Sequence, residues 1–327
     1  MPAMTTCFMK RLPVAMLVSL AATAAIAATP YPARPIRILI PFPPGGSTDL
    51  LARMVGQRFA DAWGQPTVPD NRIGANGIIA SDITAKAAPD GHTLLMIAIG
   101  HAANMSLYRK LPYDTLKDFT PLIAVADVPI FLAVHPLVKA ASVKELVALM
   151  KAKPGAINCA SGGVGASHHL AGELFRQMTG TEFLHIQYKG GGPALIGLVA
   201  GNVDMMFTPV SSAIQHVKSN RLRALAVTSS QRVALTPNLP TIAEAGVAGY
   251  ESRAWYGLIG PGRMDKTLVA KINGEADRML KSAEGSARLH ALGVIPMGGN
   301  DAQFDTFIRR EAEKYARVAK AGGIRID

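Results

Sequence analysis

Eleven short apolar or β-branched runs alternate with stretches of helical length, and that alternation constrains the fold more than any other feature of this chain. The runs fall at 36–42, 67–71, 93–99, 122–126, 130–135, 156–160, 183–188, 203–208, 222–228, 254–260 and 294–297. Between most of them lie segments with helical patterning, at 48–63, 143–151, 167–179, 193–200, 266–281 and 302–319. Such alternation predicts parallel sheets covered by helices. Eleven strands are too many for one modest sheet and suit two. The passage "PLIAVADVPIFLAVHP" breaks at 127–129, where one sheet can end and another begin, and the looser stretch 228–252 offers a return path. The expected architecture is α/β with two lobes, each a mostly parallel sheet flanked by helices. Residues 28–128 and 251–327 make lobe one, and 129–250 make lobe two. Two crossings would enclose a cleft, and ligands in such sheets bind at the carboxyl ends of strands.

Residues 1–27 stand apart. Lys10-Arg11 precede "LPVAMLVSLAATAAIAA", and Ala25-Ile26-Ala27 supplies the small residues that signal peptidase needs. The run is too short and alanine-rich for a membrane span, so it reads as a cleaved secretory signal and predicts a periplasmic protein. Cys7 leaves with that signal and Cys159 remains alone, so the exported fold must stand on its core without an internal disulfide. With 49% hydrophobic and 17% charged residues, the chain is an ordered globular one. Its net charge is +11, or +9 once Lys10 and Arg11 are removed, and the basic residues are scattered in runs no longer than two. Nucleic-acid binding concentrates charge on one face or stripe, so a mildly positive field favouring small anionic ligands is expected instead.

Two strand-to-helix loops stand out, one in each expected lobe: "PFPPGGSTD" and "CASGGVGASHHLAGELF". In both, an apolar strand ends in glycines and small hydroxyl residues just before an amphipathic helix. The first turn of a helix carries unpaired N–H groups and partial positive charge, and glycine lets a ligand approach the backbone, so the pattern suits anion capture. A phosphate-binding P-loop would need a Gly-Lys-Ser/Thr that "PPGGSTDLL" lacks, the dinucleotide fingerprint is matched only at Gly163 and Gly165, and no Gly-x-Ser-x-Gly elbow occurs. Adjacent His168 and His169 point about 100° apart on a helix and cannot chelate one ion, so no metal or other cofactor is expected. A secreted hydrolase using Ser47, Ser167 and a histidine would need a base oriented by a carboxylate, and none is placed for it by sequence.

Six motifs in order, "YPARPIRILIPFPPGGSTDLLAR", "NRIGANGIIASDITAKAAPDGHTLLM", "LPYDTLKDFTPL", "GGVGASHHLAGELF", "YKGGGPALIGLVAGNVDMMF" and "LPTIAEAG", resemble the Bug-type periplasmic solute receptors of tripartite tricarboxylate transporters. The resemblance covers essentially the whole mature chain. It implies a two-lobed periplasmic-binding-protein (Venus flytrap) fold that closes on a small carboxylate and presents it, as a monomer, to the transporter's permease subunits. A sensor read by a membrane histidine kinase would look the same in sequence.

Carried over by position, the resemblance assigns ligand contact in lobe one to Phe42, Pro44, Gly45, Gly46, Ser47 and Thr48. Asp49, at the helix start, either braces this loop or touches ligand. In lobe two the matching residues are Ser161, Gly163, Gly165, Ala166 and Ser167, with His169 either structural or ligand-binding. Further contacts would come from Gly100, His101, Tyr188, Asp204 and Thr208, of which Asp204 either accepts a ligand bond or braces a loop. Ala166 stands where relatives often carry Ser or Thr, a departure that bears on which acid is bound.

Overall fold

The computed structural model describes residues 31–291 and 293–325, together with Met1 and Ala3. Apart from those two residues, the secretory signal read at 1–27 lies outside the described residues. In chain order the elements are β1 (Ile36–Ile40), α1 (Ser47–Trp63), β2 (Thr67–Asn71), a 3-10 turn (Ala75–Gly77), α2 (Ile78–Ala85), β3 (Thr93–Ala98), α3 (Gly100–Leu107), β4 (Phe119–Val128) and β5 (Ile130–Val134). Then come α4 (Val143–Ala152), β6 (Asn158–Ser161), α5 (Ser167–Thr179), β7 (Leu184–Gln187), α6 (Gly191–Val199), β8 (Met205–Pro209), α7 (Val210–Lys218) and β9 (Arg223–Val227). The chain closes with β10 (Ala254–Pro261), α8 (Lys266–Lys281), α9 (Ala283–Ala291), β11 (Ile295–Gly298) and α10 (Asp301–Gly322). No helix among the described residues is long and apolar enough to cross a membrane.

The strands form two sheets, ordered β11-β4-β10-β3-β1-β2 and β7-β6-β8-β5-β9. Central strands such as β1 and β5 are near-continuous aliphatic runs because they are buried on both faces. Both sheets are mixed rather than mostly parallel. In the first, β2 and β3 run parallel to β1, while β10 opposes both β3 and β4. In the second, β7 and β8 run parallel to β6, while β5 opposes β8 and β9. The crossings explain this: β5 arrives from the other lobe and β10 returns to it, so each enters its sheet from the cleft side, against its parallel neighbours.

The first crossing is short, with only Pro129 between β4 and β5. The second is tied to it: the Ser252 N–H donates to the Thr228 carbonyl (3.0 Å) and the Thr228 N–H to that of Ile130 (2.9 Å). Asp127 near the end of β4 and Arg253 on the second crossing form an ion pair of 2.8 Å. Arg253 also holds Glu251 at 2.6 Å.

Helix α10 fastens the first lobe and reaches the second. Phe304 packs where Gly257 of β10 leaves room, since a methyl group there would lie 2.0 Å from its ring. The buried Trp255 donates its indole N–H to Glu311 at 2.9 Å. Near the end of α10 the Val318 carbonyl accepts from Gln177 of α5 (2.8 Å). Leu170 of α5 completes an apolar cluster with Leu107 and Val318.

Candidate functional site

Strand direction decides where helix starts gather. Helices α1 and α3 follow β1 and β3, and α5, α6 and α7 follow β6, β7 and β8; each begins at the carboxyl edge of the parallel strands in its sheet. Strand β4 opposes β10 and so runs with β1 and β3, ending at that same edge. Strand β5 starts at the corresponding edge of the second sheet. The crossing at Pro129 therefore joins the two edges at which these helices begin.

Helix capping divides the same way. Helices α4, α8 and α10, which follow the opposed strands β5, β10 and β11, start at the far ends of the sheets and are capped by Ser142, Asp265 and Asn300. At the crossing edges, α1 begins at Gly46, α3 at Ile99, α5 at Ala166 and α6 at Gly190, and no side chain caps any of them. First-turn N–H groups have no partner within their helix, so these ends present open donors and partial positive charge.

In lobe one, Asp49 is 5% exposed and turned back on its own loop. Its carboxylate accepts the Gly45 N–H at 3.0 Å, Arg53 at 3.0 Å and Asn71 at 3.2 Å, and Asn71 also donates to the Phe42 carbonyl at 2.9 Å. Burial pushes the Asp49 carboxyl up, but the bonds from Arg53, Gly45 and Asn71 outweigh it and hold the group below its ordinary range. Bracing is thus the geometry of Asp49, with its charge matched by Arg53. The Ser47 hydroxyl lies within reach of the phenol of Tyr256, whose pKa burial pushes up to about 12.

In lobe two, three neutral imidazoles carry the loop. The Gly163 N–H donates to Ser161 Oγ (3.1 Å), which pairs with His185 Nε2 (2.5 Å). His185 stacks on His169 with centroids 4.3 Å apart, and His169 Nδ1 accepts the Gly165 N–H at 3.2 Å. Burial lowers both rings to about 4, so they are uncharged near neutrality, and the Gly165 bond places the His169 proton on Nε2. His168 lies over Gly191 at the start of α6, also lowered to about 4 by burial. The N–H groups of Gly163 and Gly165 are thus spent inside the loop, and the open donors begin one step later, in the first turn of α5. Neither Ser47 nor Ser167 has a histidine partner among the described hydrogen bonds.

The loops meet at Asn76. A methyl group on Gly165 would lie 2.6 Å from Asn76 Nδ2 and 2.6 Å from Leu107 Cδ1, and one on Gly100 would lie 2.7 Å from the same Nδ2. Gly165 itself has φ +79, a conformation only glycine adopts cheaply. Asn76, Phe42 and His101 line a narrow void with room for about one water molecule.

Several expected contacts are placed elsewhere. Asp204 precedes β8, where its carboxylate accepts the Asn158 N–H (2.7 Å) at the start of β6, the opposite end of the sheet from Ser161; it braces strands and does not face the cleft. Tyr188 lays its phenol over Gly197 of α6, and only its backbone N–H reaches the loop, donating to the Ser161 carbonyl (2.9 Å). His101 is buried against Phe119 (4.9 Å) and Tyr113 (6.1 Å), bonded to Ser81 at 3.2 Å and lowered to about 3 by burial, so it touches the site only across the void. Thr208 is buried at the carboxyl end of β8. Sequence reading missed Asn76, Leu107 and His185; of these only Asn76 left a signal, the Gly-Ala-Asn-Gly turn at 74–77.

The profile of the tripartite tricarboxylate transporter family receptors matches residues 51–324. The chain belongs to this receptor family. The receptor is 37% identical over 305 residues to protein BugT of Bordetella pertussis, spanning 93% of this chain and 94% of the relative. Among solved structures it resembles R. palustris Rpa4515 with adipate (TM-score 0.86, 34% identity, 90% of this chain and all of that one). It also resembles the periplasmic binding protein BugD (TM-score 0.83, 30% identity, 90% of this chain and all of that one). A third likeness is to MatC of Rhodopseudomonas palustris with bound malate (TM-score 0.81, 30% identity, 88% and 99%). The two-lobed architecture is that of the binding proteins, and the family is one of solute receptors rather than enzymes.

Proposed function

We propose that this receptor binds a small organic carboxylate in its interlobe cleft, in the periplasm, and delivers it to the permease of a tripartite tricarboxylate transporter. One observation carries the reading: the helix starts at the crossing edges of both sheets are left uncapped, while α4, α8 and α10 at the far ends carry side-chain caps. A carboxylate supplies the acceptor oxygens that those N–H groups lack, and helix ends stabilise it without a fixed positive side chain. The adipate and malate bound to the two R. palustris relatives belong to the same chemical class.

In this reading one carboxylate docks on Gly46, Ser47 and Thr48, and closure about the crossings brings the start of α5, at Ala166 and Ser167, onto the ligand. Closure is the signal, because a permease can distinguish loaded from empty receptor only if ligand shifts that population. The test is a thermal-shift and calorimetric screen of residues 28–327 against mono-, di- and tricarboxylates, acidic amino acids and aromatic acids, with product analysis of each hit. A ligand at a hundred times its Kd adds about 2.7 kcal/mol of stability. A hit recovered unchanged supports the reading; turnover, or stabilisation only by uncharged solutes, refutes it.

A further inference from the structure

Residues 74–77 form four consecutive positive-φ positions: Gly74 (139°), Ala75 (44°), Asn76 (49°) and Gly77 (91°). Two of the four are not glycine, and strain of this kind persists only where the surroundings over-determine it. Here the surroundings are one residue of α3. Asn76 Nδ2 donates to Asn104 Oδ1 at 2.9 Å, and Asn104 Nδ2 donates back to the Asn76 carbonyl at 3.1 Å, with Asn104 fully buried. This reciprocal clamp fixes the Asn76 amide between Gly100 of its own lobe and Gly165 of the lobe-two loop, which comes to rest against it. An amide nitrogen has two hydrogens, and Asn104 takes one.

We infer that Asn76 is a positioning residue for closure: the strained turn holds its amide as the lobe-one surface on which the lobe-two loop docks, and the missing side chain at Gly165 is the matching recess. The inference rests on the receptor reading above and adds to it a residue that sets how often, and how tightly, the lobes shut. Leu107 forms the second part of the same seat, an apolar contact beside the polar one.

Asn76→Gly separates the amide from the strained backbone, because glycine accepts φ 49° freely. Asn104→Ala keeps the amide but releases its hold. Spin labels on Lys151→Cys in α4 and Lys266→Cys in α8, both exposed, report the interlobe distance, and the native Cys159 is buried. Distances are measured without ligand and with adipate or malate, alongside titrations of both acids and melting curves. The expected result is a short-distance population in wild type that falls in both variants, and an affinity for the bound acid weakened about ten-fold, chiefly through faster dissociation. Asn76→Gly leaves the buried Asn104 Oδ1 without its donor, so a modest fall in the ligand-free melting temperature accompanies it, and distances are compared well below that temperature. A distance distribution unaltered by Asn76→Gly overturns the inference, as does a wild type with no short-distance population under any condition. If wild type binds neither acid yet its distances respond to the substitution, Asn76 keeps its role and only the carboxylate reading suffers.

Discussion

Acid should unfold this protein early, and His101 supplies a measurable share of the effect. Burial lowers His101 to about 3, and His168 and His169 to about 4, from an ordinary 6.5. The folded pKa values are depressed, so the unfolded chain takes up protons first; the stabilisation is complete above pH 6.5 and is lost as pH falls towards 4. Between pH 7 and pH 5 each such histidine removes about 2 kcal/mol. His185, also lowered to about 4 but less deeply buried, removes less. Asp127 works the other way. Burial raises it to about 6 against the pull of Arg253, so its protonation between pH 6 and pH 4 returns about 1 kcal/mol by pH 5. The net loss is about 4–6 kcal/mol, a large part of a typical folding free energy. Urea unfolding followed by Trp63 and Trp255 fluorescence at pH 7 and pH 5 measures it. His101→Phe should cut the difference between the two pH values by about 2 kcal/mol, whatever it does to stability at pH 7. An equal difference in wild type and variant would show that His101 is not buried neutral, and the reasoning would fail.

Other substitutions test the loops. Gly46 has an ordinary φ of −81° and no atom closer than 3.7 Å to an added methyl group, so Gly46→Leu should leave ligand-free stability within about 1 kcal/mol while weakening carboxylate binding ten-fold or more, read by calorimetry. Asp49→Asn replaces an acceptor for Gly45, Arg53 and Asn71 by a group that is half donor, and should cost about 2 kcal/mol in urea unfolding. Gly162→Ala would drive a methyl group to 2.8 Å from the Gly191 nitrogen and 2.9 Å from the Gly190 carbonyl carbon, backbone that cannot step aside. A drop in melting temperature of several degrees is expected there, and none would mean that the two loops do not pack as described.

Strands and loops were legible because their signals are local. The aliphatic runs at β1, β3 and β5 mark themselves, and glycines before an amphipathic helix mark the starts of α1 and α5. Sheet direction was not legible, since nothing in a run such as Ile130–Val134 says whether it enters its sheet from a neighbouring helix or from the other lobe. Helices α2 and α3, at eight residues each, are too short for periodicity to declare and are held by tertiary contact. Sequence leaves Asp204 either a ligand contact or a brace; because it precedes its strand, the rule that places the loops at carboxyl ends already favours the brace. His185 and Leu107 become part of the site only when β7 is laid beside β6 and the Gly165 loop against the end of α3, which no residue spacing records.

The uncapped helix starts have a consequence for engineering. A side-chain cap contributes about 1 kcal/mol over alanine and a few tenths over glycine, and Ala166 and Gly46 leave α5 and α1 without one. A search for heat-resistant variants would therefore find Asp or Ser at these positions among its easiest gains. Each such gain installs a permanent oxygen where the ligand's own should go, so the hardiest variants would be those whose cleft is already occupied by themselves.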